Sequence, residues 1–238
     1  MEIIKGKQIL VVGATGGIGH QSAKMLKESG GNIWISGRDP EKLKSVQSDL
    51  AIPDEQVFQL DVSMAGQVQS VADQIHRQIE KIDILIIASG VGIIKPIEKL
   101  SAEDFQTTLD TNLLGPFLVM QAFLPKMKEA KKGLILNIPG VLGKVPMAGA
   151  TAYAATKYGL NGMVKSLREE LRRTEIRISN LYLGGVDTPF WDNIDMRVAR
   201  DKFIQEKEAA RAVWFMCQQP SSGVLSEMVI QPFNHQAI

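Results

Sequence analysis

Short apolar runs recur along this chain, and each is followed, after a turn signal, by a stretch with apolar positions at helical spacing. Gln8–Val12, Asn32–Ser36, Gln56–Leu60, Ile82–Ala88, Leu134–Ile138 and Ile176–Leu183 read as strands, with a last strand near Met228–Ile230. The first helical pattern runs through Ala23, Leu26 and Lys27 and closes at Gly30-Gly31. A second spans Pro40–Leu50, with proline at its start. A third spans Gln67–Lys81 and turns Val68, Val71, Ala72, Ile75 and Ile79 to one face. A longer helical region, Ala102–Lys132, is expected to break near Gly115-Pro116. Another helix runs from about Ala150 to about Arg173, with Leu160, Met163, Val164, Leu167 and Leu171 inward, and a further helical segment precedes the last strand. Strands that are apolar on both faces and alternate with helices predict an α/β fold, a parallel sheet covered on both sides. With no Gly/Ser-rich linker and no low-complexity tract, residues 1–238 read as a single domain.

Composition changes this picture little. Of 238 residues 45% are apolar and 22% charged, enough for a large core. The 27 basic and 26 acidic residues leave a net charge of +1, which gives no case for nucleic acid or an anionic membrane. Lys126, Lys128, Lys131 and Lys132 read as the solvated end of a helix. The single cysteine, Cys217, forbids an internal disulfide and lies in an apolar run, as packing. Met1–Lys7 lacks a signal-peptide pattern, and no apolar run approaches the ~18 residues of a membrane span. The expectation is a cytoplasmic protein without a metal centre.

The candidate chemistry starts at Tyr153 and Lys157, four apart on one predicted helix. That spacing stacks a phenol and an ammonium on one face, and a nearby cation favours phenolate. After the first strand come Gly13, Gly17 and Gly19, spaced unlike G-x-G-x-x-G and without the Gly-Lys-Ser/Thr of a P-loop. A glycine turn there still offers backbone N–H groups and a helix N-terminus to a pyrophosphate. Arg38, 19 residues past Gly19 at the end of the second strand, suits a 2′-phosphate and favours NADP(H) over NAD(H), although Asp39 is adjacent. Asp61 could face an adenine edge or cap the next helix, and Asn112 could bond locally or serve a site.

With the Gly13-x-x-x-Gly17-x-Gly19 turn, Asp61, Asn112 and Tyr153-x-x-x-Lys157 in this order, the chain resembles the short-chain dehydrogenase/reductase family over nearly its whole length. Leu183-Gly184-Gly185-Val186-Asp187-Thr188-Pro189 looks like the family's segment beside the nicotinamide. The resemblance implies a Rossmann-type doubly wound sheet of about seven strands that binds NADP(H). It implies Tyr153 as general acid or base, Lys157 as the residue that holds the nicotinamide ribose, and Asn112 as part of a proton relay. It also implies cofactor contacts from Gly13, Thr15, Gly16, Gly17, Ile18, Gly19, Arg38, Asp61, Val62, Ala88, Ser89, Gly90, Tyr153, Lys157, Val186 and Thr188, and a homodimer or homotetramer paired through helices around Leu113–Gln121 and Leu160–Leu171.

The sequence departs from the family pattern in three places. Val12 replaces a threonine, Ile87-Ala88-Ser89-Gly90 replaces Asn-Asn-Ala-Gly, and Gly140 stands where the family has its catalytic serine. Losing one preorganised donor costs on the order of 10²–10³ in rate. Ser89 and Thr151 are the nearby hydroxyls that could substitute. The expected function is hydride transfer between NADP(H) and a small carbonyl or alcohol: a hydroxy acid, an oxoacyl compound or a ketone. The alternative is an impaired dinucleotide-binding sensor or scaffold. Phe190, Trp191, Val141, Leu142, Ile93 and Ile94 would line an apolar substrate pocket, and Arg172, Arg173, Arg197 and Arg200 are candidates for a docking patch that read better as solvated helix ends.

Overall fold

The computed structural model describes residues 3–220 and 222–234. In chain order the elements are β1 (Gln8–Val12), α1 (Gly17–Glu28), β2 (Asn32–Gly37), α2 (Pro40–Leu50), β3 (Val57–Gln59), α3 (Ala65–His76), β4 (Ile84–Ile87), α4 (Ala102–Leu109), α5 (Gly115–Glu129), β5 (Lys132–Asn137), α6 (Thr151–Leu171), β6 (Glu175–Leu183), β7 (Val186–Asp187), β8 (Ile204–Gln205), α7 (Glu206–Cys217) and β9 (Glu227–Ile230). Seven strands form one parallel sheet in the order β3-β2-β1-β4-β5-β6-β9, and β7 pairs with β8 in a small parallel ribbon.

The continuous apolar runs place a buried side chain on both sheet faces. Ile9 and Val11 join Leu26 of α1 and Val213 of α7 in one apolar cluster, whereas Leu10 and Val12 join Ile75 of α3, Phe123 of α5 and Val164 of α6 in the other. The result is a single Rossmann-like domain with helices on both faces, as the pattern predicts. Strand order reverses between β1 and β4, and a crevice opens there at the carboxyl ends of the strands.

The largest departure from the expected elements lies in 102–132. The break expected near Gly115-Pro116 is present, but it takes the form of a π-turn: α4 runs into it over Asp110–Leu114, and α5 begins at Gly115. Pro116 explains it: proline has no N–H to give the carbonyl of residue 112, its α-helical partner, and the Gly115 N–H closes instead on the Asp110 carbonyl. Lys132 opens β5 rather than ending a helix, and α3 stops at His76, short of Lys81. The ribbon of β7 and β8 is too short to leave a periodic signal.

Candidate active site

The β1–α1 turn is shaped by close approach. Gly13 has φ +88°, and a Cβ there would fall 2.6 Å from the Ser89 backbone nitrogen. A Cβ on Gly19 would strike the Gly13 carbonyl, and one on Gly17 would strike the Glu206 carboxylate. Gly16 is the N-cap of α1 and supplies no side-chain cap, so the first-turn N–H groups keep their partial positive charge for an anion. The turn forms one wall of a cleft of about 850 Å³ that also takes in Thr15, Ile18, Arg38, Asp61, Val62, Ala88, Ser89, Gly90, Tyr153, Lys157, Val186 and Thr188. Every residue expected to contact a cofactor therefore lines one cavity.

At the β2 end of the cleft, Arg38 is joined by Lys42, one turn into α2. Neither makes an ion pair among the described residues. Asp39, the acidic neighbour, is engaged elsewhere: its carboxylate caps α2 by accepting from the Glu41 and Lys42 N–H groups at 3.0 and 3.1 Å. Asp61 does not cap α3, whose N-cap is Met64. Its carboxylate closes a local turn by accepting from the Ser63 N–H at 3.0 Å and the Ser63 hydroxyl at 2.6 Å.

At the β4–β5–β6 end, α6 brings Tyr153 and Lys157 to the same cleft, with the Lys157 Nζ over the phenol ring at 5.0 Å from its centroid. Burial dominates both ionisations. It raises the Tyr153 phenol well above its ordinary value, and it lowers the Lys157 ammonium to about 8. Burial thus acts on the phenol against the pull toward phenolate that the neighbouring cation exerts. Asn112 sits in the π-turn and does not line the cleft. Its amide clamps the loop after β4, accepting from the Val91 N–H and donating to the Val91 carbonyl, both at 2.8 Å. A Cβ on Gly90 would lie 3.2 Å from the Asn112 Oδ1 and 3.7 Å from the Lys157 Nζ, so Gly90 keeps open the space beside the lysine.

The substrate-side wall is apolar. Val141, Leu142 and Ile94 line it with Phe190 and Trp191, whereas Ile93 does not. Phe190 meets the Tyr153 ring edge-on at 6.0 Å between centroids and fills the space a Gly92 side chain would need. Trp191 donates its indole N–H to the Val186 carbonyl at 2.9 Å. Arg200 does not form a docking patch: it is paired with Asp187 at 2.6 Å and Asp192 at 2.7 Å.

The family model for short chain dehydrogenase matches residues 7–198. The chain belongs to this family. An uncharacterized oxidoreductase of Staphylococcus epidermidis is 30% identical over 232 residues, covering 98% of this chain and all of that protein. A metagenomic short-chain oxidoreductase solved in complex with NADP is 27% identical with a TM-score of 0.83, covering 97% of this chain and 99% of that one. The closed form of a serine dehydrogenase complexed with NADP+ is 27% identical with a TM-score of 0.86, covering 96% of each chain.

Within this short-chain dehydrogenase, the altered residues have physical consequences. Gly140 has φ +73° and ψ 165°, a conformation that essentially only glycine adopts, although a Cβ would meet nothing nearer than the Leu183 carbonyl at 3.5 Å. A serine here would therefore meet backbone strain rather than lack of space. Of the two substitute hydroxyls, Thr151 is exposed and outside the cleft lining, whereas the Ser89 Oγ is buried in it without a partner among the described residues. Lys42 and Glu206 escaped the sequence reading. Lys42 could have been found from its place in the first turn after Arg38. The Glu206 contact with Gly17 joins residues 189 apart, with no local signal.

Proposed function

We propose that this protein is an NADP(H)-dependent oxidoreductase that reduces a small carbonyl compound, with Tyr153 as the proton donor. The observation that carries this reading is the convergence of the Tyr153–Lys157 pair and the uncapped glycine turn on one cleft. The residues present fit the cofactor. Arg38 and Lys42 are free for a 2′-phosphate, the α1 N-terminus suits a pyrophosphate, and the buried Ser89 hydroxyl lacks a partner. Two relatives of like fold and 27% identity hold NADP or NADP+. When bound, the nicotinamide supplies the hydride.

The chain's own residues supply the rest. Lys157 would hold the nicotinamide ribose, and it puts positive charge beside the phenol. Tyr153, neutral at pH 7, gives its proton to the carbonyl oxygen as the carbon accepts hydride, so the carbonyl becomes an alcohol and the phenol a phenolate. Lys157 stabilises that phenolate until solvent returns a proton. Phe190 shields the reacting atoms from water. Asn112 positions the floor of the site through Val91. Residues 1–238 act as one domain, and exposed Leu114, Phe117 and Tyr158 on α5, α6 and the π-turn give an apolar face on which two copies would pair.

The test is spectroscopic: NADPH absorbance followed with a panel of ketones and aldehydes at high enzyme. Oxidation coupled to stoichiometric alcohol supports the reading, and tight NADPH binding without oxidation by any member overturns it. The second reading, a non-catalytic dinucleotide sensor, draws on Gly140, and it predicts a Tyr153→Phe variant with unchanged biological effect.

A further inference from the structure

We infer that the substrate is an uncharged carbonyl compound bearing an apolar or aromatic group, and that Phe190 is the residue that selects it. This rests on the oxidoreductase reading of the cleft and narrows it. Besides Tyr153, five ionisable side chains line the cavity: Arg38, Asp39, Lys42, Asp61 and Lys157. The first four belong to the β2–β3 end, and the Lys157 Nζ lies over the Tyr153 ring at 5.0 Å from its centroid. The wall that faces Tyr153 from the loops after β4, β5 and β7 is built from Ile94, Val141, Leu142, Met147, Phe190 and Trp191. It holds no cation. On the 189–203 segment Arg200 has its guanidinium spent on Asp187, Asp192 and the Thr188 carbonyl, and Arg197, between the cleft residues Met196 and Val198, does not itself line the cleft. The Trp191 indole N–H is likewise spent, on Val186, so its ring face is what remains for a ligand.

An ionised carboxylate or phosphate placed against this wall would lose its hydration and find no cation there to pair with, whereas a ketone with a hydrocarbon arm loses nothing it needs. Phe190 decides size. It bridges from the segment after β7 to the Gly92 backbone and touches the Tyr153 ring, so an arm on the carbonyl carbon must pack against its face.

Paired ligands of matched size test this: acetophenone against phenylglyoxylate, and 2-hexanone against 2-oxohexanoate. Turnover is followed by NADPH absorbance. Binding is followed in parallel by quenching of tryptophan fluorescence in the NADP+-loaded protein with the corresponding alcohols and hydroxy acids, a readout that does not require turnover. The expected result is a preference of about 100-fold or more for the neutral member of each pair. Met196→Arg, at an exposed position on the cleft rim, should narrow that preference about tenfold or more, and Phe190→Ala should lower the acetophenone preference over 2-butanone. Equal or tighter binding of the carboxylated members by the wild-type protein would overturn the inference even where turnover stands. Absence of turnover with selective binding of the neutral members would instead sink the oxidoreductase reading and leave the selectivity intact.

Discussion

The Lys157 ammonium lies 5.0 Å from the centroid of the Tyr153 ring, and among the described residues no carboxylate pairs with it. A nearly fully buried ammonium without an anion is a cost to the fold, and burial lowers it from 10.5 to about 8. Well below pH 8 both folded and unfolded chains hold the proton, and the folded chain bears the full penalty. Between about 8 and 10.5 the unfolded chain holds more protons, so this group makes stability rise with pH. Lys157→Met should therefore abolish reduction while stabilising the fold by on the order of 3 kcal/mol at pH 7. Denaturant unfolding at pH 7 and pH 10 checks this, since the gap between wild type and variant should shrink at the higher pH.

Gly140→Ser separates two accounts of the missing hydroxyl. If only the side chain were absent, the substitution would raise kcat by on the order of 10²-fold. The φ of +73° predicts otherwise: a loss of about 1–3 kcal/mol in stability, a drop of several degrees in melting temperature, and less than about a tenfold gain in kcat. Calorimetry and steady-state kinetics on the one variant decide between them.

Arg38 and Lys42 form the cationic end of the cleft, and Asp39 is occupied in capping α2. Arg38→Ala should weaken NADPH binding about 10- to 100-fold while leaving NADH binding nearly unchanged. Lys42→Ala should act in the same direction to a smaller extent. Calorimetric titration with both cofactors at two salt concentrations reads the effect, which should fall as salt rises.

The Glu206 carboxylate abuts Gly17 at the N-terminus of α1, where a phosphate would be held. Burial raises it above its ordinary value. His20 on α1 and Arg200 oppose that, and Asp187 of β7 adds to it. An anion bound at this turn favours the protonated carboxyl, so NADPH affinity should rise as pH falls through that raised value. Glu206→Gln should tighten binding at pH 7 and flatten the pH profile measured by NADPH fluorescence.

The fold was legible because strands buried on both faces, such as Leu10–Val12 and Ile84–Ile87, carry no polar positions to confuse the period. The cleft residues were legible for a related reason: a turn after a strand and a four-residue spacing on a helix are local facts. What stayed hidden depends on contacts between distant segments. The π-turn needs Pro116 to be read as a missing donor to residue 112, and the capping role of Asp39 needs its rotamer. The raised phenol of Tyr153 comes from burial, and Phe190, 37 residues on, meets its ring edge-on, a contact no local spacing encodes.

The central claim, that Tyr153 donates the proton in an NADPH-dependent reduction, is tested most directly by stopped-flow NADPH absorbance with a neutral aryl ketone, in wild type and in Tyr153→Phe. The account predicts oxidation by the wild-type protein and a loss of about 10²-fold or more in the variant, with NADPH affinity unchanged. Equal rates in the two proteins would contradict it.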